Sequence, residues 1–232
     1  VIKEELIQRS PIRIFEQSIN GGLKAGEIGI IASQSGIGKT SVLVQLALDK
    51  LLQGKKVIHV SFAQHTQHVI TWYENIFDEF ISRKNLDDPA GIKDGLVKNR
   101  VLMNFNQDSM SIEQIVRSLR AMIVDGGFAA EAVIVDGFDF SRDGCRHLAC
   151  VKAFAVELGL SVWYSCTVKD GGWQFDRKNA APLPEGVADL ADVIVVLEPR
   201  PDHIALSISK DRDSGAAKAA ETRLDPKTLL IL

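Results

Sequence analysis

Cysteine is scarce in this 232-residue chain, and long apolar runs are absent. Cys145, Cys150 and Cys166 show no metal-ligand spacing, and an odd number of cysteines speaks against a disulfide framework and for a reduced, cytoplasmic setting. No stretch approaches the roughly 18 apolar residues that a membrane-crossing helix needs, so no membrane association is expected. No signal peptide is visible, and the chain starts at Val1 without a methionine, as an excised or processed fragment would. Neither sign of charge dominates: Lys and Arg number 27 against 30 Asp and Glu, a net charge of −3. That balance gives no global drive towards nucleic acid, whose binding rests on phosphate neutralisation. Internal repeats, heptad runs and low-complexity segments are missing too. What is present is 46% hydrophobic content, ample for one large α/β domain with a sizeable core.

The richest stretch is Ile28-Gly-Ile-Ile-Ala-Ser-Gln-Ser-Gly-Ile-Gly-Lys-Thr40. An apolar strand runs into a small-residue loop, and a long apolar helical segment follows. Small residues let the backbone curl so that several N–H groups face one anion, and the helix adds the positive end of its dipole. The candidate phosphate cradle is Ser33, Gln34, Ser35, Gly36, Ile37, Gly38, Lys39, Thr40 and Ser41. In it Lys39 reaches the β/γ-phosphates and the Thr40 hydroxyl sits on Mg²⁺. The first glycine of the usual pattern is replaced by Ser33. Lys56 to Phe62 reads as a second buried strand, which completes a βαβ unit. The plain alternative is a glycine-rich turn that merely joins strand to helix.

Ala132-Val-Ile-Val-Asp136 places an acid at the end of another buried strand. Such an acid is costly without a cation or hydrogen-bond donors, and a metal-bound phosphate beside it would supply one. Thr40 and Asp136 are therefore the candidate Mg²⁺ residues. The alternative is that Asp136 simply opens an Asp-Gly turn.

Order and spacing resemble the RecA-like P-loop ATPase superfamily, in particular its KaiC-, RadA- and DnaB-type branches. Ser18-Ile-Asn-Gly-Gly-Leu-Lys-Ala-Gly-Glu27 is similar to the glycine-rich lead-in of the first two. Ala188 to Leu197 resembles their sixth-strand segment, and Ser209-Lys-Asp-Arg212 their lysine-x-arginine hairpin. The resemblance runs from about residue 10 to the end. It implies a three-layer α/β fold, with a mostly parallel central sheet and antiparallel strands at the C-terminal end. It also implies a single nucleotide-binding domain at 21–232 behind an N-terminal arm at 1–20, with ATP and Mg²⁺ as cofactors and assembly into a homo-oligomeric ring or filament. In such an assembly Lys210 and Arg212 would reach a neighbour's γ-phosphate. Read without the resemblance, they are charges on a solvated edge strand.

Two positions depart from the superfamily's pattern. The glutamate that polarises the attacking water belongs just after the second strand, where this chain has Ala63 and Gln64. Gln64 can orient a water but cannot take its proton. The γ-phosphate sensor after the fifth strand, Leu160 to Ser165, is replaced by Cys166-Thr167. Asp139, Asp143, His65 and His68 are substitute bases to consider, the histidines being otherwise solvated loop or early-helix residues. Loop 167–178, with Trp173 and Phe175 among three cations, reads either as a nucleic-acid contact or as an interface or lid loop.

These features describe an ATP-binding protein acting as a weak ATPase or an ATP-dependent assembly switch. The competing readings are a DNA-dependent recombinase or helicase-type motor and a non-hydrolysing nucleotide-binding scaffold. Nucleic acid is not the favoured partner. Elsewhere, helices are expected over 71–84, from a capping box at Ser111 and Gln114, and over 146–158; 85–95 is expected to be a loop.

Overall fold

Apolar strands and amphipathic helices alternate along the chain, and the computed structural model describes residues 10–62, 65–84, 89–168, 183–212 and 218–232. The helices are α1 (Pro11–Ser18), α2 (Lys39–Leu52), α3 (Thr66–Lys84), α4 (Pro89–Lys98), α5 (Ile112–Arg120), α6 (Gly144–Leu158) and α7 (Val187–Leu190). The strands are β1 (Ile28–Ser33), β2 (Lys56–Ser61), β3 (Arg100–Asn104), β4 (Ala130–Asp136), β5 (Ser161–Thr167), β6 (Val193–Pro199), β7 (Ile204–Asp211) and β8 (Lys218–Leu224). They form one 8-stranded sheet in the order β3-β2-β4-β5-β1-β6-β7-β8. All neighbours pair in parallel up to β6, and β7 and β8 then pair antiparallel. This is the expected α/β architecture with its antiparallel C-terminal end.

Strands covered on both faces lose the polar–apolar alternation, and β1 is buried at all 6 positions. Ile31, Trp163 and Ile134 pack with α1 to α4 on one side. Ile30, Val162 and Val133 pack with α5 to α7 on the other, which makes three layers. Gly29 lets β1 lie under the Trp163 ring; a Cβ there would come within 2.4 Å of it.

The Ser111–Gln114 capping box is present, with Ser111 N–H donating to Gln114 Oε1 at 2.8 Å. The apolar face of α5 continues through one wide π-type turn, Ala121–Asp125. Several boundaries differ from expectation, β2 ending at Ser61 and α6 starting at Gly144 among them. Helix α3 starts at Thr66, and β5 extends through Thr167. The segment expected as a loop holds α4 from Pro89 onward, because Ile92 and Leu96, one turn apart, pack on the core despite Gly91 and Gly95. Helix α1 is capped by Ser10, and it sets Ile12 and Phe15 into the core layer of α2 and α3.

Two buried histidines make stability acid-sensitive. Burial pushes His59 down from its ordinary 6.5 to about 4, Asp136 opposing and Arg100 adding to the effect. Burial alone pushes His147 down to about 3. His147 also stacks on Phe138 at 3.7 Å and shares a hydrogen bond with the Tyr164 hydroxyl at 2.9 Å. Both rings are neutral in the fold, and the unfolded chain takes up their protons first. Their contribution is whole above pH ~6.5 and falls as pH drops towards 4. Urea midpoints measured between pH 7.5 and 4.5 should fall across that window, and His147→Gln should make the decline shallower.

Candidate nucleotide-binding site

The C-terminal ends of β1, β2, β4 and β5 lie along one edge of the sheet, in register at Ser33–Thr167 and Ser61–Asp136. Parallel α/β sheets place ligands outside this edge. Here the chain leaves β1 through Ser33 and turns at Gly36 (φ +79°) and Gly38 (φ +110°), both left-handed conformations that favour glycine. Nothing lies within 4 Å of where a Gly36 side chain would be, so the loop faces open space there. Helix α2 begins immediately after Gly38 with no side-chain cap. Its first-turn N–H groups therefore meet no capping side chain at the place where the dipole is positive.

Lys39 is 8% exposed, and its ammonium donates to Ser33 O (3.1 Å), Ser33 Oγ (3.3 Å) and Gln34 O (2.7 Å). These partners are neutral oxygens. Burial pushes the Lys39 pKa down, while Asp136 and Cys166 push it back up. Thr40 Oγ1 donates to Asp136 Oδ2 at 2.8 Å. Ser165 Oγ donates to Asp136 Oδ1 at 2.6 Å and accepts the Gly137 N–H at 2.9 Å. Both carboxylate oxygens of the buried Asp136 are thus held in place. Among the described residues no group of three or more His, Cys, Asp or Glu side chains is set to hold a metal ion. A Thr hydroxyl and one carboxylate suit Mg²⁺ that takes its remaining ligands from phosphate and water.

Of the cradle residues, Ser35 and Gly36 are exposed, Gln34, Ile37 and Gly38 are half-buried with Ile37 packed on the core, and Ser41 is fully buried with its hydroxyl donating to Leu229 O at 2.6 Å. Gln64, together with Ala63, lies outside the described residues, as do positions 169–178 of the candidate contact loop. Cys166 is buried, and burial pushes its thiol up to about 12, with Lys39 lowering and Asp139 raising it. It is a neutral thiol at physiological pH. Thr167, at the end of β5, is exposed.

Among the substitute bases, His65 and Asp139 line one polar cavity of about 450 Å³ at the ends of β2, β3 and β4. The Asp139 backbone is held there by the Gln107 side chain, which donates to its carbonyl (2.8 Å) and accepts its N–H (2.9 Å). Asp143 instead precedes α6 in a left-handed turn, and His68 is exposed in the first turn of α3.

Lys210 and Arg212 do not project together. Strand β7 ends at Asp211, and Arg212 takes φ +53°, which breaks the alternation. Lys210 Nζ donates to Ala188 O (2.8 Å) and Asp189 O (3.3 Å) in α7. Arg212 uses every donor of its guanidinium within the chain. Nε and one terminal nitrogen grip Glu27 at 2.8 and 2.7 Å, and the remaining bonds go to Ile19 O, Gly22 O and Asp211 Oδ1. Ser165, Gln107 and Leu229 are contributors that reading the sequence missed. Only Ser165 carries a local signal, by sharing a strand face with Trp163.

No helix among the described residues is long and apolar enough to cross a membrane. No family model matches the chain. A stretch of 47 residues, 20% of this chain, is 41% identical to the DNA repair protein RadA of Aquifex aeolicus (strain VF5), and it spans 10% of that protein's length.

Proposed function

We propose that the chain is a RecA-like P-loop domain that binds Mg·ATP at Ser33–Ser41, with Thr40 and Asp136 as the protein oxygens assigned to the cation. The observation that carries this is Lys39. A buried ammonium, bonded only to neutral oxygens of its own loop, stands at the uncapped start of α2 beside the Thr40–Asp136 pair. A polyphosphate supplies the charge that such an arrangement lacks. The resemblance to the RecA-like superfamily and the short likeness to RadA point the same way. Bound Mg²⁺ neutralises phosphate charge. The chain's own part is to cradle phosphate oxygens with the Gly36–Thr40 backbone, to direct the Lys39 donors at them, and to fix Thr40 and Asp136. Because the sequence has Ala63 and Gln64 where the superfamily it resembles has its glutamate, turnover is slow, as in a weak ATPase or a nucleotide-dependent switch. Assembly into a cytoplasmic ring or filament rests on the resemblance alone, and Lys210 or Arg212 would have to leave its partners within the chain to meet a neighbour's nucleotide.

Calorimetric titration with ATP, in Mg²⁺ and in EDTA, tests the reading. Saturable one-site binding that weakens at least about tenfold without the metal is expected, the equivalent of ~1.4 kcal/mol. Absence of binding in Mg²⁺ refutes it. Phosphate release measured in parallel separates a slow ATPase from a scaffold that binds without turnover. The likeness to a DNA repair protein favours one further reading, a DNA-dependent motor, which would show release accelerated by single-stranded DNA.

A further inference from the structure

The segment that follows β8 is built into the back of the phosphate loop. Asp225 to Leu232 folds on itself: Asp225 N–H donates to Leu230 O (2.9 Å), Leu229 N–H to Asp225 O (2.8 Å), and Leu232 N–H to Arg223 O (2.8 Å). Within this turn Leu229 is left-handed, at φ +56°. That conformation is costly for a side-chain-bearing residue and needs compensation. The compensation comes from α2. Leu229 O accepts both the Ser41 hydroxyl (2.6 Å) and the Gln45 amide (2.9 Å), and Gln45 Oε1 accepts the Ile231 N–H (2.8 Å). Ser41 and Gln45 are buried, so these bonds are made away from water. The same turn sets the shape of the loop. A side chain on Gly38 would come within 2.8 Å of Leu224 Cδ2 and 3.5 Å of Leu229 Cδ2. The glycine that turns the chain into Lys39 leans on the residues that the tail holds in place.

We propose that Asp225–Ile231 is a positioning element of the nucleotide site, and that seating of this segment and occupation of the phosphate loop are thermodynamically coupled. The inference rests on the Mg·ATP reading above. Ser41 follows Thr40 directly, and Gln45 lies one turn further along the same helix. Any shift of α2 that reshapes Gly36–Thr40 around phosphate therefore moves the two side chains that hold Leu229. Coupling is reciprocal. A contact that pulls the segment off α2 weakens nucleotide binding, and bound nucleotide tightens the segment. Leu229, Ser41 and Gln45 act through the loop and touch no nucleotide with their side chains.

Hydrogen exchange of the full chain, with and without saturating Mg·ADP, tests this. The amides of Ile231 and Leu232 should slow by about tenfold, within the usual range of such couplings. The Gly126–Phe128 turn, which leads into β4 at the opposite end of the sheet from the phosphate loop and lies in the layer across the sheet from α2, reports how much slowing comes from global stabilisation alone and should slow less. In Gln45→Leu, the excess slowing at 231–232 should vanish, while residues 36–42 remain protected by Mg·ADP with affinity lowered about tenfold. Ser41→Ala, a smaller deletion, should give the same pattern at reduced size, and it stands in if Gln45→Leu does not fold. Protection at 36–42 with no excess at 231–232 in the wild-type chain overturns the coupling and leaves the nucleotide reading intact. No protection in either segment overturns both.

Discussion

Lys39→Ala is expected to weaken ATP binding by about hundredfold without lowering the melting temperature of the unliganded chain. Hydrogen bonds to a charged group contribute about 1.5–3 kcal/mol each, and a polyphosphate offers this ammonium more than one oxygen. A loss near 2.8 kcal/mol is a factor of ~100. Stability should not follow. In the unliganded chain the Lys39 side chain is desolvated, and its pKa is lowered for that reason first. Its three oxygen partners are neutral groups of Ser33, which is buried, and of half-buried Gln34, so what their bonds contribute is offset by the cost of desolvating the ammonium. Calorimetric titration beside thermal unfolding separates the two effects. Unchanged affinity would remove Lys39 from the site, and a collapse of stability would make it a structural residue.

Arg212→Ala should have the opposite signature, a large loss of stability. The guanidinium ties the lead-in at Ile19 and Gly22, the start of β1 at Glu27, and the end of β7 at Asp211 with one rigid fork. Its side chain is 20% exposed and that of Glu27 16%, so removing it takes a partner from two carboxylates and two backbone carbonyls largely out of water. Breaking such a pair costs about 3–4 kcal/mol, which for a domain of this size lowers Tm by roughly 6–16 °C. Lysine should rescue less than half of the loss, because one ammonium cannot span acceptors arranged around a plane. Burial alone would raise the Glu27 pKa, yet its bonds to Arg212 and to the Lys24 N–H hold it below the usual carboxylate range. This contribution is present above the unfolded carboxyl pKa and disappears as pH falls through the folded one, so the variant and the wild-type chain should converge in acid. A Tm shift below ~2 °C would show that the fork is dispensable.

What could be read from the sequence was what short-range pattern encodes. Gly38-Lys39-Thr40 after an apolar strand, and Asp136 at the end of another, announce themselves within a few residues, and their meeting at 2.8 Å follows from strand order. The capping box at Ser111 is equally local. Helix α4 escaped because Gly91, Gly95 and Pro89 mark loops by composition, whereas packing of Ile92 and Leu96 decides the matter. Ser41 is adjacent to the cradle in sequence, but its hydroxyl answers a carbonyl 188 positions away. Arg212 reads as a projecting cation only if β7 continues past Asp211, and a single left-handed residue undoes that. Pairings between distant segments leave no periodicity to detect.

The sheet order carries a consequence for biosynthesis. Strand β1, which presents the phosphate loop, is flanked by β5 and β6 rather than by the strands translated next to it. Gly38 leans on Leu224, and the Ser41 hydroxyl donates to Leu229 O. A nascent chain that has already exposed Lys39 and Thr40 therefore owns the chemistry of the site without its shape. Closing these long loops makes maturation slow, and it leaves the apolar β1 strand without its two neighbours until β5 and β6 have been made.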